Sequence, residues 1–280
     1  RSDCPRFYLN IKNRYIMGSL INETSEHVTQ PIWPYHRCYR PIRDADGYSI
    51  EEHNYLVDHN YAKHPDKYVR AFLQLQQEMK NLFQYIEPGD NNLKTYSDQI
   101  EQLLVLICIE VEANFKAIFK ENIYSGQEKD WCMRDYCKID KSHRLSDYQV
   151  IMPIWDGKKN TFQPFLGWQK SSKLSWYKAY NQVKHNRAEL LKAANFGNLM
   201  NAFCGLFVVL TAQFKTQEFS TTPVLISADG YKSYYKGNFG IGNMLQAKYP
   251  EWSENEKYYY KHDFHNPPKI IFRKFDYRQL

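Results

Sequence analysis

Four stretches of the chain repeat apolar residues every three or four positions, and each predicts a helix. Over 67–86 the stripe is Val69, Phe72, Leu75, Met79, Leu82, Phe83 and Ile86, stopped by Pro88-Gly89. Over 97–120, Ser97 stands as N-cap with Asp98 and Glu101 in the first turn, and the LLVLICI segment is apolar all round. That last trait marks a central helix. A third helix over 172–190 carries Trp176, Tyr180, Val183, Leu190 and Leu191 on one side. A fourth over 196–216 carries Phe196, Leu199, Met200, Phe203, Leu206, Phe207 and Leu210, after a break expected near Ala193-Ala194-Asn195.

Elsewhere the periodicity is lost. Prolines at 31, 34 and 41 exclude a helix there, so residues 1–60 read as an arm or small hairpin. Its cluster Tyr35, His36, Arg37, Tyr39 and Arg40 mixes rings and cations as single-stranded nucleic-acid surfaces and protein interfaces both do, and the interface is favoured. Between 122 and 172, DYQVIMPIW leads into the turn Asp156-Gly157, and TFQPFLGW then reads as a short hairpin. Residues 219–280 read as an extension packed on the core. The expectation is a single domain over 1–280, mainly α: an antiparallel helical bundle at 67–216 with short β pieces and irregular arms.

Composition narrows this little. A 43% apolar content supplies a substantial core, and a net charge of +6 is compatible with a polyanionic partner without demanding one. Of the six cysteines, Cys108 and Cys204 lie in apolar helical runs, and Cys132 and Cys137 are too far apart for a zinc knuckle. A reducing, cytoplasmic setting is expected, with no metal and no cofactor. The longest apolar runs, Leu103–Ile109 and Phe203–Ala212, are short for a membrane span, and no membrane association is expected. Asn22-Glu23-Thr24 matches a glycosylation sequon, with nothing else pointing to secretion.

No hydrolase elbow, Walker loop, paired-carboxylate signature or zincin motif occurs, and GNFGIGN lacks the strand and helix a phosphate loop needs. One constellation remains. On a helix through SWYKAYNQVKHNR, the residues Lys178, Asn181, His185 and Lys192 share the face opposite the apolar stripe, flanked by Lys184. An imidazole can activate a ribose 2′-hydroxyl, and cations and an amide can steady the phosphorane that follows. The plain alternative is a solvated face with an incidental histidine. Arg187 points toward the core side, where Glu110, abutting the apolar run of the second helix, would need a cationic partner. Glu112 is expected to pair with Lys116 one turn on.

An apolar helix, then a helix bearing YNQVKHNR, then another apolar helix resembles the HEPN superfamily of prokaryotic helical-bundle proteins over roughly residues 67–215. In that family an arginine, often followed by Asn, Asp or His, is separated from a histidine by four to six intervening residues. Here His185 matches the histidine and Asn181 the polar position, while Tyr180 or Lys178 stands where the arginine belongs. The resemblance implies a dimeric, metal-independent ribonuclease of a phage-defence or toxin system. Catalysis would fall to His185, Asn181 and Lys178, and phosphate or RNA binding to Lys184, Arg187 and Lys192. It also allows a non-catalytic module that binds RNA, nucleotide or a partner protein of a defence system. The homodimer is expected through the His185 helix or the last apolar helix, whose Ala202, Gly205 and Ala212 permit close approach.

Overall fold

The computed structural model describes residues 30–43, 50–219, 239–260 and 269–280. Expectations for 1–29, including the sequon, and for GNFGIGN up to residue 238 lie outside them. Pro31–Leu280 forms one compact unit. It is mainly α-helical, with a small antiparallel sheet. In chain order the helices are α1 (Ile50–Val57), α2 (Pro65–Leu82), α3 (Asp98–Glu121), α4 (Met133–Tyr136), α5 (Asp140–His143), α6 (Ser175–His185), α7 (Arg187–Leu190) and α8 (Phe196–Phe214). The strands are β1 (Gln149–Ile151), β2 (Thr161–Phe162) and β3 (Gln246–Lys248).

The long helices start where their caps say. Ser97 accepts the Ile100 amide at 3.2 Å to open α3, and Asn195 accepts the Asn198 amide at 3.0 Å to open α8. Helix α2 begins with Pro65 and buries Val69, Phe72, Leu75, Met79 and Leu82, the stripe the periodicity picks out. It ends at Leu82, earlier than expected.

The central helix is α8, where the sequence pointed to the second helix. Every residue of α8 from Ala202 to Phe214 is buried, whereas α3 leaves Leu106 and Ile109 about half exposed on its outer side. Helices α2, α3 and α6 all pack on α8. By length and composition α8 is apolar enough to cross a membrane, although Asn201, Thr211 and Gln213 break up its apolar runs. In this fold those sides are covered by protein.

The helix expected over 172–190 is divided. At Asn186 the backbone leaves the helical region (φ −147°, ψ 71°), and α7 starts anew. The Asn186 amide donates to Glu189 at 2.7 Å, a local alternative to continuing the ladder.

The hairpin also differs from expectation. Strand β2 supplies only Thr161–Phe162 and pairs back on β1, with Val150 opposite Phe162, while Leu166–Gln169 forms a 3-10 turn. Strand β1 is central, flanked by β3 with Val150 opposite Ala247. Gly157 holds the turn at φ +121°, where a Cβ would come within 2.5 Å of Asp90 Cγ. That carboxylate accepts the Trp155 indole at 2.8 Å and the Lys158 and Lys159 amides, and these bonds, the indole's foremost, hold its pKa below the usual range.

The described part of the first arm is woven in by its backbone. Ile32 bridges Tyr259, Tyr35 bridges Arg273 and Ile42 bridges Tyr258, while Ile123 at the end of α3 bridges Asp276. The ring-and-cation cluster is therefore an intramolecular interface. Arg37 is wholly buried: Nε meets Glu121 at 2.6 Å, one terminal nitrogen meets Gln213 Oε1 at 2.9 Å, and the guanidinium lies 4.7 Å from the Tyr68 ring. Arg40, also buried, stacks on Trp252 at 4.9 Å and donates to the Ser142 carbonyl.

His143 is sealed beside them. Its Nε2–H donates to the Arg37 carbonyl at 2.7 Å, which fixes the tautomer, and Nδ1 meets the Ser142 hydroxyl at 2.7 Å. Burial pushes its pKa down to about 4. The unfolded chain, with an ordinary imidazole near ~6.5, binds this proton more readily, so stability is full above that pH and declines toward 4. Half-buried His36, lowered mainly by burial, acts in the same direction. Urea unfolding at pH 7.5 and pH 4.5 is expected to show a loss of roughly 2–3 kcal/mol attributable to His143. A His143→Gln protein that lost as much between those two pH values would refute the assignment.

Candidate functional site

The helix carrying the site is fixed from behind. Trp176, Ala179, Tyr180 and Val183 of α6 are buried, and the Trp176 indole donates to the Pro164 carbonyl at 2.9 Å. Gly205 of α8 faces that indole so closely that a Cβ would stand 3.3 Å from it. A small residue there lets the two helices approach. The opposite stripe, Lys178, Asn181 and His185 at i, i+3 and i+7, is thereby held outward.

All three line one open cleft of about 660 Å³. Its second wall comes from α4, through Met133 and Arg134, and its end from the Ser172–Ser175 turn that leads into α6. Gln182 and Asn186 add amides, while Leu174, Tyr177 and Leu190 add apolar surface. Arg134, Lys173, Lys178 and His185 are exposed, and no carboxylate belongs to the lining. The cleft is therefore cationic and partly apolar, and it offers one imidazole.

The other predicted residues sit apart from it. Lys184 donates to the Tyr180 hydroxyl at 3.2 Å, and this bond raises the lysine's pKa. Lys192, carried off by the break at Asn186, lies 6.0 Å from the Tyr96 ring. Arg187 does not pair with Glu110. It bonds Asp98 at 2.8 Å and Glu101 at 3.2 Å in the first turn of α3, because the break swings it away from the middle of that helix. Glu110 is half-buried and has no ion pair among the described residues; burial raises its pKa. Glu112 accepts the Tyr177 hydroxyl at 2.7 Å, in place of the expected pairing with Lys116.

Arg134 and Lys173 escaped the sequence reading, since both lie in connecting segments without periodicity. Cys132 and Cys137, on either side of Arg134, are free thiols, and burial raises the pKa of Cys137. Among the described residues no group of three or more His, Cys, Asp or Glu side chains is placed to hold a metal. Comparison with protein-family models, with curated proteins and with solved structures gave no match in any of the three.

Proposed function

We propose that this cleft binds RNA and that the protein is an HEPN-like, metal-independent endoribonuclease of a bacterial defence or toxin system, built on an antiparallel helical bundle. One observation carries the reading. An exposed histidine stands among three cations (Arg134, Lys173 and Lys178) and three amides (Asn181, Gln182 and Asn186) in a cleft that has no carboxylate lining. A polyanion meets no negative charge in that lining.

In the reaction His185 takes the proton of a ribose 2′-hydroxyl, and the 2′-oxygen attacks the adjacent phosphorus. The bond to the 5′-oxygen breaks, and the Lys178 ammonium two turns away protonates that oxygen. Asn181, between them, donates to the phosphorane oxygens. The products are a 2′,3′-cyclic phosphate and a 5′-hydroxyl. A second reading, a module that binds RNA without cutting it, is favoured by one fact: His185 has no hydrogen-bonding partner among the described residues to orient its ring. Incubating the protein with total RNA and excess chelator separates the two. Fragments with cyclic phosphate ends support the nuclease; intact RNA that co-elutes with the protein supports the module.

A further inference from the structure

Helix α3 carries five acidic side chains, and four of them are answered within the chain. Arg187 holds Asp98 and Glu101, the Tyr177 hydroxyl donates to Glu112, and Arg37 meets Glu121. Glu110 is the exception. Its carboxylate is half-buried, has neither hydrogen bond nor ion pair among the described residues, and has its pKa raised by burial alone. A carboxylate that gives up water and gains no partner is unfavourable, and a cation brought beside it would offset that cost.

Glu110 borders apolar surface. Leu106, one turn before it, and Ile109, its neighbour in sequence, are each about half exposed. Single exposed apolar residues are ordinary on a protein surface. These two belong to a pattern. Gln102, Leu106, Ile109, Ala113 and Lys116 follow one another at alternating spacings of four and three, and all are exposed or half-exposed. That alternation is the seam of a helix that packs along a second helix, and small Ala113 admits a close approach. Lys116, at the end of the seam, is also without a hydrogen bond or ion pair among the described residues.

A second copy of α3 does not complete this face. An antiparallel two-fold pairing centred on Ala113 sets Glu110 against Lys116 across the axis, but Leu106 then meets Lys120. Centred between Leu106 and Ile109, the pairing joins those two, and Glu110 then lies opposite Val105 with no cation. Neither register satisfies the charge and the apolar surface together.

We propose that the outer face of α3, from Gln102 to Lys116, docks an amphipathic helix of another protein, which lays its apolar stripe on Leu106 and Ile109 and sets a lysine or arginine against Glu110. The seam is about 21 Å long, which calls for about four turns of partner helix. No residue of α3 lines the His185 cleft, and the proposal does not rest on the RNA reading.

The test screens the full chain against a display library of helical peptides of about 20 residues, randomised along one face. The double variant Leu106→Gln/Ile109→Gln serves as counter-screen. Recovered peptides are expected to share an apolar stripe with a basic residue at one fixed position, and to bind the double variant at least tenfold more weakly. Glu110→Lys is expected to cost about tenfold, and a glutamate in place of the peptide's basic residue to restore most of that loss. Thermal unfolding should be unchanged in both variants, since the altered side chains lie on the outer side. Peptides that bind the double variant equally, or that ignore Glu110→Lys, would overturn the proposal, as would a library that yields no binder. A dimer in sedimentation that the double variant dissolves would overturn it too, by giving the face to a second copy.

Discussion

Replacing His185 with alanine is expected to slow chelator-resistant RNA cleavage by about 10²–10⁴-fold, the usual contribution of a positioned proton-transfer group. RNA affinity should change little, because Arg134, Lys173 and Lys178 remain in the cleft and supply the phosphate contacts. The fold should be untouched, since His185 is exposed at the end of α6 and makes no contact that holds the helix; the buried Trp176, Ala179, Tyr180 and Val183 do that. Separate measurements of cleavage rate and affinity on both proteins check this. Equal rates would take His185 out of the mechanism. A variant that lost affinity in parallel with rate would make His185 a binding group instead.

Replacing Arg37 with alanine is expected to cost about 3–5 kcal/mol of stability, the range for breaking a buried charge pair from one side. The side chain is fully enclosed and joins three parts of the chain: Glu121 at the end of α3, Gln213 near the end of α8, and the Lys63 carbonyl just before α2. Without it, Glu121 keeps only the Lys63 amide at 3.0 Å, and the Gln213 side-chain Oε1 loses its donor. The Tyr68 and Phe214 rings lose the cation between them as well. Urea unfolding checks the value. Glu121→Gln, which keeps an acceptor for Nε, should cost less, and the pair of changes together should cost less than their sum. A loss below about 1 kcal/mol for Arg37→Ala would mean that the apolar packing, not this network, ties the first arm down.

Much of the helical core was legible because burial leaves a period in the sequence. The stripes of α2 and α8 and the cap of α3 stand within a few residues of expectation, whereas Asn195 was read only as part of a break and not as the cap of α8. The choice of the central helix was not legible. LLVLICI looks apolar on every side, yet Leu106 and Ile109 face outward, and only the packing of α2 and α6 decides which helix is enclosed. The Lys178, Asn181 and His185 stripe was legible from spacing alone. Arg134 was not, since its place depends on how α4 folds back on α6. The fate of Arg187 was misread for a simple reason: helical angles were carried past Asn186, where the helix stops. Arg37 gave no sign of its burial, because a proline-rich, charged stretch has the composition of a surface.

The backbone bridges between the first arm and the residues around 258–277 have a consequence for the order of events during folding. The Tyr35 amide donates to the Tyr258 hydroxyl across 223 residues, whereas α2, α3 and their turn are neighbours along the chain. Closing a loop ten times longer costs about 2 kcal/mol more in chain entropy, and nothing repays it until both sides are present and a surface exists to receive them. The helices can form that surface first. In pulse-labelled hydrogen exchange during refolding, amides of α3 and α8 are expected to gain protection before Ile32, His36 and Tyr259, with the arm closing last over a core already assembled. Simultaneous protection of all of them would mean instead that the closure itself nucleates folding. In the expected order, Arg37 remains a hydrated cation through most of folding and becomes dry only as the final stitch is drawn.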